Sequence, residues 1–343
     1  MNINLLGIDI SKDIFQLHGI NKTGQAILKK RIDRNKLAEY IANLPSTEIV
    51  MESCGGANYW ARVFQRSGHA VKLISPQFVT PFVKTNKNDA NDAEAIAEAA
   101  SRPSMNFVPI KKVEQQDIQS LHRVRSRIVK NKTALINEIR GLNLEYGVTI
   151  PRGAQNVKKI LRLIIDDNSN ELTLSARELM EDLYVELQET EERLKNINNK
   201  IKLICKENEL CQRILTIPGI GEITASAIVA SVGNPNEFKN GRHMAAWLGL
   251  VPRQSSSGNK QMLLGISKRG DRYLRTLLIH GARAVLTRYK NGDNAYGRWV
   301  SQKRATHPFN KAAVAIANKN ARIIFSLLKA DQDFDPSLQL GAA

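Results

Sequence analysis

Two stretches decide the fold: Leu5-Leu6-Gly7-Ile8-Asp9-Ile10 and Glu48-Ile49-Val50-Met51-Glu52. Each carries a short apolar run with a carboxylate at or near its end, the pattern of a strand that ends beside a core. Working outward from the first, Ile14–Ile20 and Ala26–Ile32 also read as strands, with turn signals at Ser11-Lys12 and Lys22-Thr23-Gly24. A helix is expected from about Arg34 to Asn43, ahead of the Glu48–Glu52 strand. A helix near Asn58–Ser67, a strand at Ala70–Ile74 and a helix over Ala90–Ala100 come next. Three meandering strands and then β-α-β-α predict a mixed sheet of the RNase-H-like type, because a plain doubly wound fold would alternate from its start.

A carboxylate at the end of a buried strand is costly unless a charge partner or a metal meets it. Asp9 and Glu52 both occupy such ends, side by side if their strands are neighbours. Asp89 and Asp92, in Lys87-Asn88-Asp89-Ala90-Asn91-Asp92-Ala93-Glu94, are three apart and share one helix face. Four acids from three elements repel one another unless divalent cations neutralise them, and oxygen-only ligands select Mg²⁺ or Mn²⁺. Taken singly, Asp9 reads equally as a turn former, Glu52 as a solvated strand end and Asp89 as a helix N-cap. Their joint order within this strand–helix pattern favours the metal. Asp13 and Glu94 have no comparable placement and are expected on the surface.

From Asp117 to Tyr146 the pattern turns helical. Leu121, Ile128, Leu135 and Leu142 recur every seven residues, with Ile118, Arg125, Lys132 and Ile139 interleaved. A second long helix, about Leu174–Cys205, repeats its apolar seam in threes and fours, and Pro151-Arg152-Gly153 separates the two. The pair predicts an antiparallel coiled-coil arm linking two globular units, with two ordinary core helices of one domain as the alternative. The last third, from Ile214, has short helices, Gly/Pro turns and a polar loop, Arg253-Gln254-Ser255-Ser256-Ser257-Gly258-Asn259. Its longest expected helices are Asp271–Leu286 and Lys311–Leu328. The expected class is α/β plus α, with a mixed-sheet domain at 1–112, the arm at 113–206, a mainly helical domain at 207–331 and a flexible tail at 332–343.

Fifty Lys and Arg against 33 Asp and Glu give the 343-residue chain a net charge of +17, a field that suits a polyanionic partner. Residues 111–160 carry 11 basic and 4 acidic side chains and residues 206–310 carry 16 and 6, whereas 166–192 holds one basic and ten acidic. Two nucleic-acid surfaces separated by an acidic spacer are expected. Within the first, Arg123, Arg125, Arg127, Lys130 and Lys132 are candidate backbone contacts, with a solvated helix face as the plain alternative. Three cysteines without CxxC spacing and six scattered histidines argue against disulfides, zinc and other transition metals. No apolar run is long enough to span a membrane, and the N-terminus lacks a signal-peptide pattern, so a cytoplasmic protein is expected.

Ile217-Pro218-Gly219-Ile220-Gly221 reads as a hairpin opening a helix at about Ile223–Val232, as in helix-hairpin-helix modules. Backbone N–H groups at the helix's positive end grip phosphate without reading bases, which makes Gly219 and Gly221 candidate contacts. A turn that needs positive φ at glycine is the alternative. Lys268, Arg269, Arg272 and Arg275 are placed to hold a phosphate and offset charge developing on it. Composition does not single out a nucleophile among Ser255, Ser256, Ser257 and Ser267.

Gly7-Ile8-Asp9, Met51-Glu52-Ser53-Cys54-Gly55 and Lys87–Ile96 resemble the DEDD transposases of the insertion-sequence-one-ten family. The resemblance continues through Leu215–Glu222, Ala246–Arg253 and Gly265–Asp271, and so covers nearly the whole chain. The segment around Asp89 is closer to the insertion-sequence-eleven-eleven branch. The resemblance implies a RuvC-like N-terminal domain, catalytic Asp9, Glu52, Asp89 and Asp92, and Lys87 as a nucleic-acid contact. It also implies Ser267 as the nucleophile, forming a covalent phosphoserine link to DNA in a site composed from different subunits. Further implications are a structured non-coding guide RNA (a bridge RNA encoded beside the gene) and dimers pairing into tetramers on donor and target DNA.

Three other functions compete. A hydrolytic Mg²⁺ nuclease or Holliday-junction resolvase would use the four acids alone. A sugar-kinase or actin-like ATPase would share the Gly7-Ile8-Asp9-Ile10-Ser11-Lys12 turn, but its second phosphate loop and adenosine motif are not found. A nucleic-acid scaffold with decayed catalysis would not be expected to keep all four acids and Ser267.

Overall fold

The computed structural model describes residues 3–83, 89–257, 260–289, 294–330 and 333–337. The chain divides into two compact units, Met1–Val113 and Glu114–Ala343.

The first unit is built on β1 (Leu5–Ile10), β2 (Ile14–Ile20), β3 (Ala26–Asp33), β4 (Glu48–Glu52), β5 (Ala70–Ile74) and β6 (Phe107–Val108). They form one six-stranded sheet in the order β3-β2-β1-β4-β5-β6. β1–β4 and β4–β5 are parallel pairs, and β1–β2, β2–β3 and β5–β6 are antiparallel. The two-residue β6 is too short to announce itself by periodicity.

Its helices are α1 (Arg34–Ala42), α2 (Ala57–Arg66), α3 (Pro76–Val79) and α4 (Asp89–Ala100). Leu6, Ile8, Ile49 and Met51 pack with Leu37 and Ile41 of α1 and Trp60 and Phe64 of α2. Leu5 and Val50 point the other way, into a second cluster with Val79 and Ile96. Burial on both faces explains why β1 and β4 read as continuous apolar runs. With a side-chain period of two, Gly7 and Asp9 share Leu5's face, the face that α4 covers.

The second unit opens with α5 (Val113–Glu145), α6 (Ala154–Asp166) and α7 (Leu174–Glu207). The apolar periodicity predicts only two helices here. The break at Pro151-Arg152-Gly153 instead leads into α6, whose Val157, Leu161 and Ile164 fill a cluster with Leu135 and Ile139 of α5 and Met180 and Leu187 of α7. Short connections then carry α8 (Glu209–Leu215), α9 (Glu222–Val232) and α10 (Gly241–Trp247). Residues 253–257 of the polar stretch expected to be a loop lie in an antiparallel hairpin of β7 (Pro252–Ser257) and β8 (Lys260–Ile266). All six residues of β7 are exposed, so no apolar alternation marks it. The unit closes with α11 (Arg272–Arg288), α12 (Ala295–Thr306) and α13 (Phe309–Lys329).

Leu278 and Ala282 of α11 and Ile316 and Ile324 of α13 lie at the centre of its core. Part of the expected flexible tail is also placed on this core. Phe334 packs edge-on against Tyr296, with ring centroids 5.5 Å apart, and the Tyr296 N–H donates to the Pro336 carbonyl.

Candidate functional site

In the first unit the site begins with a glycine. A Cβ on Gly7 would lie 2.6 Å from the Ala93 carbonyl oxygen and 2.9 Å from the Ala97 nitrogen. Only glycine lets α4 press this closely on β1, and that approach sets the first turn of α4 beside Asp9. Carboxylate oxygens of Asp9, Asp89 and Asp92 lie within 4.8 Å of one another. Glu52 is outside this group of three. It ends β4 one residue beyond the paired Ile8 and Met51, so it neighbours Asp9 across the parallel ladder. Burial foremost, then Asp92, Asp89 and Glu52, pushes the Asp9 carboxyl up to about 6. Burial foremost, then Glu52 and Asp9, raises the Cys54 thiol, which stays neutral beside them. Every ligand atom of the group of three is a carboxylate oxygen, a donor set that fits a hard divalent cation. Glu94, expected on the surface, meets Lys29 at 3.4 Å. Lys87 lies outside the described residues.

In the second unit Ser267 sits between β8 and α11. Its N–H donates to the Val251 carbonyl at 2.8 Å, and its hydroxyl oxygen is buried with no hydrogen-bond partner among the described residues. Lys268 comes next at φ 55°, and no other non-glycine residue among those described has positive φ. Such a conformation costs about 1–3 kcal/mol and persists only where the surroundings enforce it. A Cβ on Gly249 would lie 2.0 Å from the Arg269 carbonyl oxygen, and one on Gly270 would lie 1.9 Å from that of Trp247.

Arg275 corrects one expectation. Its side chain is buried and turned inward, donating at 3.2 Å to the Leu248 and Arg269 carbonyls, so it braces the loop rather than facing a phosphate. Lys268, Arg269 and Arg272 are exposed around it.

The basic face of α5 divides the same way. Arg125 donates to Asn198 at 2.7 Å, and Lys132 pairs with Glu191 at 2.8 Å. Lys158 pairs with Glu191 and Arg162 with Glu181, so the acidic spacer is partly spent inside the arm. Arg123, Arg127 and Lys130 instead line a cavity of about 390 Å³ with His122, Asp271 and Tyr273. Gly219 has φ 84°, and a Cβ there would lie 2.6 Å from the Gly281 carbonyl oxygen, so packing accounts for it. Gly221 N-caps α9 with open space around it, although Glu222 places an acid in that helix's first turn.

Sequence reasoning missed a buried relay. The Ser226 hydroxyl donates to the Glu222 carbonyl, accepts from His122 Nε2, and leaves Nδ1 to accept from the Tyr273 hydroxyl at 3.0 Å. Burial first, then Arg125, pushes His122 down to about 4, so the ring is neutral. A single histidine in a heptad pattern carries no signal for these partners.

Strand-end carboxylates beside an acidic helix turn, and a cation-rich helical unit, define a protein that processes nucleic acid. Residues 6–146 match the family model of DEDD transposases of the IS110 type, described as "Transposase", and residues 211–298 match that described as "Transposase IS116/IS110/IS902 family". The chain is 49% identical to "Transposase for insertion sequence element IS1111A" of Coxiella burnetii, over 97% of this chain and 92% of that protein. It is 46% identical to "Probable family 20 transposase" of Pseudomonas aeruginosa, over 98% of this chain and all of that one. Identity to "Transposase for insertion sequence element IS1328" of Yersinia enterocolitica is 42%, over 94% and 96%. The chain belongs to the IS116/IS110/IS902 family of insertion-sequence transposases, in keeping with the branch expected from the segment around Asp89. Transposases act on DNA, and among the described residues no helix is long and apolar enough to cross a membrane.

Proposed function

We propose that this transposase cuts and rejoins DNA strands through Ser267, with Asp9, Glu52, Asp89 and Asp92 forming a Mg²⁺ or Mn²⁺ site in an RNase-H-like, RuvC-like unit. The observation that carries the reading is the Asp9-Asp89-Asp92 cluster, where burial first and then the neighbouring acids raise Asp9, an arrangement that a counter-cation would relieve. A bound cation would polarise the scissile phosphate and stabilise charge on the attacking and leaving oxygens. The unpartnered Ser267 hydroxyl, on a loop braced by Arg275, supports the nucleophile's assignment. Its oxygen attacks phosphorus as the P–O bond to the leaving strand breaks, and the serine proton ends on that strand's oxygen. Attack by a second strand's hydroxyl reverses the exchange and restores serine.

Lys268, Arg269 and Arg272 would hold phosphate beside Ser267, and Arg123, Arg127 and Lys130 would track a nucleic-acid backbone. The sheet domain (1–112), arm (113–206) and serine-bearing domain (207–331) would act in dimers that pair into tetramers, directed by a non-coding guide RNA. Ser267→Ala tests the assignment, with target DNA, guide RNA and Mg²⁺ present. The unsubstituted protein should leave a nucleotide adduct on the tryptic peptide containing Ser267, and the variant should bind nucleic acid yet neither cleave nor form it. An adduct on Ser255, Ser256 or Ser257 would move the nucleophile. Full cleavage by the variant without an adduct would leave a hydrolytic nuclease.

A further inference from the structure

A cavity of about 1380 Å³ opens among residues of the β7–β8 hairpin, α10, α12 and α13. That exceeds the roughly 300–1,000 Å³ of a small-molecule pocket. Its wall is apolar at Leu250, Leu264, Ile266, Val314 and Ile323, while Arg242, Lys311, Lys319 and Arg322 bring cations to it. No aspartate or glutamate is among the lining residues. Trp299 is half-buried in the lining, and Lys319 Nζ stands 4.1 Å from its ring centroid. Burial, then Arg322 and Lys303, lowers the Lys319 ammonium. Lys311 and Lys319 thus stand on an apolar pocket whose lining holds no carboxylate.

We propose that this cavity receives an unpaired nucleotide of a DNA or RNA strand, its base in the apolar pocket beside Trp299 and its phosphate on Lys311 and Lys319. Each part of the lining then has a use. An aromatic face and an apolar wall take a base of any identity, and the cations take the backbone. A paired duplex presents phosphates but keeps its base faces stacked inside, so it would use the cations and leave the apolar wall wet. An apolar peptide would fill the wall and strand the cations. Ile266 belongs to the wall and directly precedes Ser267, so a strand held here would run beside that residue in the chain. The inference rests on the family's action on DNA and does not need Ser267 to be the nucleophile.

The test is photo-crosslinking of the full chain to short oligothymidylate carrying 5-iododeoxyuridine, with an iodouridine RNA oligomer as the second arm. Adducts should map to peptides holding Trp299 or His307. DNA alone, RNA alone or both would each support the site and name the source of its strand. Trp299→Leu should weaken oligomer binding about tenfold, within the range for losing one stacked base, while Trp299→Phe keeps most of the affinity. Lys311→Met with Lys319→Met should lower the log–log salt slope by about 0.7 for each phosphate no longer neutralised. Lys311 is exposed, so Lys311→Met alone decides the question if either buried-side variant fails to fold. Adducts confined to other peptides, unchanged affinity in Trp299→Leu, or equal competition by a blunt duplex would overturn the proposal. Ser267→Ala should crosslink like the unsubstituted chain, so failure of the strand-cleavage reading would appear in a different assay.

Discussion

In the first unit Gly7 lets helix α4 come down on strand β1 and bring three carboxylates together. In the second, Gly249 and Gly270 let two stretches of backbone meet beside Ser267, where Lys268 is held in an uncommon conformation. The device is the same, backbone contact at a residue without Cβ, but the electrostatic burden is opposite. One unit buries Asp9 among other acids, which raises its carboxyl to about 6, and the other gathers cations and leaves a serine hydroxyl without a partner among the described residues. Under the proposed function, a cation at the acids and a phosphate at the loop would supply the missing partners. The contrast also shows two routes to that state. Burial and repulsion raise Asp9, whereas steric enforcement and the Arg275 brace hold the loop.

The largest expected effect falls on the acids. Asp9→Asn removes a charge without changing shape, so strand cleavage should fall by about a hundredfold or more, the scale of losing one electrostatic stabiliser. The fold should remain, because the repulsion at Asp9 is relieved. Single-turnover cleavage beside circular dichroism reads both, and active Asp9→Asn would mean the acids are not the metal site. Next come the glycine contacts. Gly7→Ala and Gly249→Ala should each destabilise by about 1–3 kcal/mol through overpacking, read by urea unfolding. Gly7→Ala should also weaken Mn²⁺ binding, which Gly249→Ala should leave alone. A shared loss of Mn²⁺ binding would break the separation of the two devices.

Titration sharpens the comparison further, because the units should respond to pH with opposite signs. His122 is neutral in the folded chain down to about 4 against an ordinary 6.5, so the unfolded chain binds more protons between those values. Its contribution is complete above pH 6.5 and is lost as pH falls toward 4, at most about 3 kcal/mol. Metal-free Asp9 is raised from 3.8 to about 6, so the folded chain binds more protons in that window, and its contribution shrinks as pH rises through it. Urea unfolding from pH 4 to 7 should show a shallower loss toward low pH in His122→Gln and a steeper one in Asp9→Asn. Identical profiles would mean that neither group titrates as its surroundings require. The smallest effect belongs to the arm. Lys132→Met breaks a pair with Glu191 and should cost about 0.2–1 kcal/mol without altering the salt dependence of DNA binding. Removing Arg123, Arg127 and Lys130 together should lower the duplex slope by about 0.9 for each phosphate left unneutralised.

Most of the first unit was legible in the linear pattern. β1, β2, β4 and β5 lie where their apolar runs and turn residues put them, since buried strands write their burial directly into composition. Asp9, Asp89 and Asp92 were found the same way, because charges at strand ends and in a helix's first turn contradict their surroundings. The arm's middle helix, α6, was passed over at the Pro151–Gly153 break, although Val157, Leu161 and Ile164 fall at helical spacing and all three are buried, so its period was there to be read. The β7–β8 hairpin and α12 were hidden for a different reason: an exposed polar strand and a weakly patterned helix bury too little to leave a period.

What the sequence alone determined is therefore the identity of the family, the mixed-sheet unit, and the acids that burden it. The tertiary structure decided which charges are spent. Arg275 and Lys132 look in sequence like Arg272 and Lys130, yet one braces two carbonyls and another is held by Glu191. It also decided that Gly219 serves packing against Gly281, that His122 is locked neutral between Ser226 and Tyr273, and that Trp299 and Lys319 meet on a cavity. The reason is one of range. Burial and backbone preference act on neighbours along the chain and leave periodic traces. Partnering of charges and hydrogen-bonding groups depends on residues far apart in sequence, and it is settled only when the helices pack.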